Sequence, residues 1–272
     1  MYAGTTFRKG SGSIIGVHQK IDRVSRRHLK KYIGSDAIFP HIDKILHFEG
    51  NNGPDGIKRK SPSKDEPWHF IDPTKPEDKA ILVLINNHLY NLTQALQDNN
   101  EERSAFEAAW LSHAIVDGLT PAHHYPLNDK IEELWGKPHH ERLTKRDKNI
   151  IKGHNRRDTL SKNWQYWGIG GVFSAHLAFE LGVASMIAPL KFTEALLSDE
   201  DMKQVKEYGF EAIFMRALHR IDHLKMYDVF GKRGWTRHLT TQTKKILVPE
   251  IIKTVSLAWY IAFEDAQEKK ES

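Results

Sequence analysis

One stretch constrains this chain more than any other: Trp110-Leu-Ser-His113-Ala-Ile-Val-Asp117-Gly118-Leu-Thr-Pro121-Ala-His123-His124. Just upstream, Phe106, Ala109, Trp110 and Ala114 lie at helical spacing and mark a buried stripe. His113 and Asp117, four residues apart, continue that stripe on one face. An ionised Asp on a buried face is costly unless it is paired or bound to a cation. Gly118 and Pro121 then end the helix and turn His123 out of its register. A chain that turns a corner between consecutive metal-capable side chains is building around something, and a metal cluster fits.

Composition narrows the choice of metal. The 272 residues include 16 His and no Cys, which removes both disulfides and thiolate zinc sites. Any metal must be held by His and carboxylate, the ligand set of hydrolytic zinc sites. A formal charge of +5 favours anionic partners, phosphodiesters or anionic membranes among them, though only weakly.

His followed four residues later by Asp, Glu or His occurs five times, so spacing alone does not select a site. Position on an apolar stripe does. His113/Asp117 passes, and so does His176/Glu180, which shares a face with Val172, Phe179, Val183 and Ile187. Either pair alone reads equally well as a satisfied core hydrogen bond; two on different helices favour metal. His154/Asp158 lies in a basic, polar stretch and reads as solvated surface, and His219/His223 is surrounded by charge. His18, beside Val17 and Ile21, reads on spacing alone as a core or capping histidine.

The rest of the chain reads as one all-α domain. A flexible arm is expected over 1–13 and a helical domain over 14–272. Helices are expected over 14–33, 40–49, 77–98, 101–118, 127–135, 170–188, 198–230 and 249–268. The long loop over 50–76 carries Asp55 and Trp68-His69-Phe70-Ile71-Asp72-Pro73, and its length points to function. The polar stretch 137–163 is left unassigned. The run 170–190 is apolar enough for a membrane scan, but His176 and Glu180 in its middle point to a buried helix of a soluble protein. No signal-peptide core is visible near Met1, so a cytoplasmic location is expected.

These residues together resemble the zinc-dependent phospholipase C family, whose helical fold and trinuclear zinc site are shared with secreted single-strand-specific nucleases. The resemblance rests on His113-x-x-x-Asp117 followed by Thr120-Pro-Ala-His123, on His176-x-x-x-Glu180, and on Pro54-Asp55 with His69-Phe-Ile-Asp-Pro. It covers about 14–180. It implies that Asp55, His69, His113 and Asp117 hold one zinc and that His123, His176 and Glu180 hold a second with an open position for water. A third zinc would take His18 and share Asp117. In the family a processed N-terminal Trp gives its amino group and carbonyl to that third zinc. No Trp precedes Trp68 here, so the third position is left open, with His28 or water as candidates to complete it.

The resemblance implies hydrolysis of a phosphoric ester by a zinc-activated water, with phospholipid or another phosphodiester as substrate and peripheral contact with a membrane. Asp55 is the candidate general base. Trp68, Trp164, Tyr166 and Trp167 are candidates to line the cleft, caging a choline cation or stacking a nucleobase. Two alternatives stay open: a nuclease acting on single-stranded nucleic acid, and a metal-binding protein without turnover.

Overall fold

The computed structural model describes residues 1–2, 16–34, 37–60, 69–125, 127–138, 141–142, 144, 147 and 150–271. The helices are α1 (Val17–Ile33), α2 (Ile42–His47), α3 (Pro54–Lys60), α4 (Ala80–Gln97), α5 (Glu101–Gly118) and α6 (Leu127–Trp135). They continue with α7 (Arg156–Trp167), α8 (Val172–Ile187), α9 (Asp199–Tyr208), α10 (Phe210–His223) and α11 (Met226–Arg233). α12 (Arg237–Gln242) leads through a π-helical turn, Thr243–Leu247, into α13 (Val248–Glu271). Among the described residues there is no strand, and the all-α reading holds.

The core forms around α13, which is buried through most of its length and packs on α1, α4 and α5. Trp259 sits fully buried there, and its indole N–H donates to the Ala108 carbonyl at 3.1 Å, so the large ring enters the core without an unpaired donor. α5 is clamped at its start by Asn100, whose side chain accepts from the Arg103 N–H, with Glu101 and Glu102 favourably placed in the first turn. A smaller cluster of Ile131, Ile151 and Tyr166, joined by Trp135 and Phe173, ties α6, α7 and α8 together.

Several elements differ from the sequence reading. Pro54 opens a short helix inside what the sequence presents as loop, and Asp55 rides on its first turn. The expected helix over 198–230 is three: Gly209, at φ 77°, and Lys225, at φ 48°, adopt left-handed backbone that an α-helix cannot continue through. The apolar run after Gly170 is buried along one side only, through His176, Phe179, Glu180, Val183, Ala184 and Ile187. The arm is held at its very end: Met1 is buried, and the Val17 N–H donates to the Tyr2 carbonyl at 2.8 Å. Residues 3–13 of the arm and Trp68 lie outside the described residues.

Candidate metal centre

The eight expected side chains converge on one buried volume between α1, α3, α5, α8 and the 3-10 turn Pro121–His124. Three groups form, each with ligand atoms within 4.8 Å of one another: His18, His113 and Asp117; Asp55, His69 and His113; His123, His176 and Glu180. The last two groups match the division the resemblance implies for Asp55/His69 and His123/His176/Glu180. These side chains could hold metal ions.

The end of α5 sets this division. Asp117 is in the last helical turn, with Gly118 behind it packed so closely that an added Cβ would lie 2.7 Å from the Phe214 ring. The Thr120 hydroxyl donates to the Val116 carbonyl at 2.6 Å and the His123 N–H to the Thr120 carbonyl at 2.8 Å, which fixes the corner. His113 and His123 are thereby aimed at different groups. The two oxygens of Asp117 are divided the same way. Oδ2 faces His69 Nδ1 at 2.5 Å and His113 Nε2 at 3.3 Å, whereas Oδ1 faces His18 Nε2 at 3.3 Å. A carboxylate so placed could serve two cations at once, one on each oxygen.

The spacings suit a metal. Tetrahedral ligands at zinc–ligand distances near 2.1 Å lie about 3.4 Å apart. Besides the 3.3 Å pairs around Asp117, His123 Nε2 and His176 Nε2 lie 2.9 and 3.0 Å from Glu180 Oε1. His113 Nε2 is buried, makes no hydrogen bond, and looks between Asp117 and Asp55, whose Oδ1 is 3.9 Å away. A buried ring nitrogen without a hydrogen bond, facing two carboxylates, is a place for a cation; against burial, Asp117 and Glu49 hold this ring well above the usual imidazole range, so a metal binding here would displace a proton.

The tautomers are set from behind. The Nδ1–H of His123 donates to the His69 carbonyl at 2.7 Å, and the Nδ1–H of His113 faces Glu49 Oε2 at 3.3 Å, which leaves each Nε2 for the site. Glu49 is fully buried, and so is Asp22, which accepts from the Ser112 hydroxyl at 2.5 Å. Burial and the charge of Glu49 hold Asp22 well above the usual carboxylate range. Glu49 does not stand out in the sequence, and Asp22 shows there only as the residue four after His18, because their importance comes from packing behind a ligand.

Burial opposes ionisation of Asp117 and Glu180. The Met1 ammonium with His123 and His113 nonetheless holds Asp117 well below its usual range, and the same ammonium with His176 and His123 holds Glu180 down. Burial and the ammonium push His123 down to about 4, a neutral ring with a lone pair to give. Asp55, the most accessible of the eight with a side chain 33% exposed, is kept low against burial by His113 and His69. It marks the side from which solvent reaches the centre.

An unexpected group lies beside His18 and Asp117. The α-amino nitrogen of Met1 is 2.5 Å from Asp117 Oδ1 and 3.5 Å from Glu180, and the Met1 carbonyl oxygen is 2.7 Å from His18 Nε2. His28, a sequence candidate for this role, is elsewhere, its Nδ1 on the Ala195 carbonyl at 2.8 Å. The aromatic candidates are also placed differently. Trp164 faces solvent and Tyr166 is buried in the α6–α8 cluster, whereas Phe70 and Tyr227 lie beside His176, with ring centroids 6.4 and 6.5 Å away. Tyr227 carries no sequence signal; only the packing of α11 on α8 brings it there.

Comparison of the chain with protein-family models, with curated protein sequences and with solved structures gives no match. The functional reading rests on the geometry of the centre.

Proposed function

We propose that this chain is a zinc-dependent hydrolase of phosphoric diesters, similar in its chemistry to a phospholipase C. The observation that carries the reading is the sharing of Asp117: two ligand groups meet on its two oxygens, and a third, around Glu180, lies beside them. Side-by-side cation positions built from His and carboxylate are the arrangement that clamps the attacking and leaving oxygens of a phosphoryl displacement. His and carboxylate without thiolate suit zinc in a hydrolytic role. When bound, zinc supplies Lewis acidity toward phosphoryl oxygens and makes water more acidic.

The chain's own residues do the rest. Asp55 Oδ1, ionised and facing the opening, accepts the proton of the attacking water. His123 and His113, held by His69 and Glu49, keep their ring nitrogens fixed, so little reorganisation accompanies the reaction. Phe70 and Tyr227 stand beside His176 and give that side of the centre an apolar wall.

A second reading, a nuclease for single strands, is favoured by the outer face of α1. There Arg23, Arg26, Arg27 and Lys30 line a cavity of about 270 Å³ on the helix that carries His18, a surface suited to a phosphate backbone. Turnover of a phosphocholine ester against single-stranded DNA by the zinc-loaded chain separates the two readings. His176→Ala should release zinc and lower turnover by more than about a hundredfold. Zinc binding without turnover of either substrate would leave a metal-binding protein and overturn the hydrolase reading.

A further inference from the structure

The α7–α8 hairpin presents an apolar surface that the fold does not cover. Leu160, Trp164 and Trp167 recur at i, i+4 and i+7 on α7, and the first two are 71% and 65% exposed. Ile169, at the tip of the connecting turn, is 93% exposed. Leu177 and Leu181 continue the exposed apolar surface along α8. α8 is apolar nearly all round, which suits a helix buried on every side, yet one side faces solvent. The stretch 156–187 has the hydropathy of a membrane span, but only 33% of its most apolar window is buried and the turn at 168–171 divides it into two helices.

The tip is a built feature. Gly170 takes φ 78°, and a Cβ on Gly168 would strike the Trp164 backbone and ring at 2.4 and 2.7 Å. The Ser174 hydroxyl closes the turn onto the Gly168 carbonyl at 2.5 Å. Ile169 is therefore held outward. At the other end of the same stripe, Arg156 and Arg157 are exposed and pair with no carboxylate among the described residues, while the neighbouring Asp158 is taken by Lys162 and the His154 N–H.

We propose that this hairpin docks on an anionic lipid bilayer, with Ile169, Leu160 and Trp164 entering the interface and Arg156 and Arg157 meeting lipid phosphates. An apolar tip, a Trp in the middle and cations at the far end follow the polarity profile of a bilayer surface. Charge selects this occupant over a second copy of the chain, which would offer the same stripe and the same two arginines but no anion for them. α8 also carries His176, four residues past its first residue Val172 and so about 6 Å along the helix from the turn. Docking would bring lipid headgroups toward the metal centre. Docking itself does not depend on the hydrolase reading; only that consequence does.

The test is co-sedimentation of the metal-free full chain with vesicles of phosphatidylcholine, alone and mixed with phosphatidylglycerol. The chain should sediment with the mixed vesicles and much less with the neutral ones. Ile169→Asp and Leu160→Asp should each lower the partition coefficient by about tenfold or more, because each removes a buried branched side chain from the interface. Arg156→Glu with Arg157→Glu should abolish the preference for the anionic vesicles. Both apolar positions are exposed, so these variants should fold and, if the chain is a hydrolase, cleave a soluble chromogenic diester at the wild-type rate. Absence of sedimentation with either vesicle, or sedimentation unchanged by Ile169→Asp, would overturn the proposal. So would a concentration-dependent dimer dispersed by Ile169→Asp, which would identify a second copy as the occupant. Failure of the hydrolase reading would show separately, as no turnover of the soluble diester by the zinc-loaded wild type.

Discussion

Replacing Asp117 by Asn removes one negative charge and changes almost nothing in volume. In the metal-free chain, Oδ1 serves the Met1 ammonium and faces His18, while Oδ2 serves His69 and faces His113. An amide offers one acceptor where the carboxylate offers two, and its NH2 must point at a donor whichever way it is turned. Asp117 and Met1 are both almost fully buried, so water does not compensate. Removing one partner of a buried ion pair costs about 3–5 kcal/mol. For a chain of 272 residues that corresponds to a fall in Tm of roughly 5–9 °C. Calorimetry on chelator-stripped wild type and Asp117→Asn reads this directly. The same variant, titrated with zinc, should lose more than one bound ion because the shared ligand is gone. A metal-free Asp117→Asn that melts with the wild type and still binds its full complement of zinc would refute the bridging role.

Three further outcomes follow from the same structure. Glu49→Gln keeps the shape behind His113 but not the charge, and should weaken zinc binding by about tenfold in competition with a chromogenic chelator; unchanged affinity would show that Glu49 only fills space. Despite its burial, the Met1 ammonium is raised from 8.0 to about 10 by Asp117 and Glu180. A raised folded-state pKa stabilises fully below pH 8 and is lost as pH rises through about 10, so the metal-free chain should lose stability over that window and an N-acetylated chain should not. Ser198→Ala breaks the capping box that starts α9 and should cost about 1 kcal/mol in urea denaturation. Asp201 of that box, held low against burial by its bonds to Ser198, should give part of this back as pH falls below the usual carboxylate range.

How much was legible depended on whether the signal was local. His113/Asp117 and His176/Glu180 could be read because helical spacing puts each pair on one buried stripe, and the Gly118–Pro121 corner explained why His123 leaves it. Asp55 and His69 sat in apparent loop, and only resemblance set them beside the helices; the turn of helix at Pro54 is too short to leave a periodic pattern. Glu49 and Tyr227 were invisible, and Asp22 showed only as the residue four after His18, because each matters through what it packs against. Met1 was hidden for the opposite reason: a Gly- and Ser-rich arm gives no hint that its end is tied into the core. The exposed side of α8 left no mark in the sequence, since a helix apolar nearly all round carries no periodicity that tells a covered face from an open one.

In the proposed centre His113 and His123 serve different metal positions joined through Asp117. Anomalous scattering at the zinc absorption edge, on crystals of the chain purified without chelator, tests this most directly. One peak is expected among Asp55, His69, His113 and Asp117, a second among His123, His176 and Glu180, and a third beside His18 and the Met1 amino group. A single peak shared by His113 and His123, or none at these residues with zinc in excess, would contradict it.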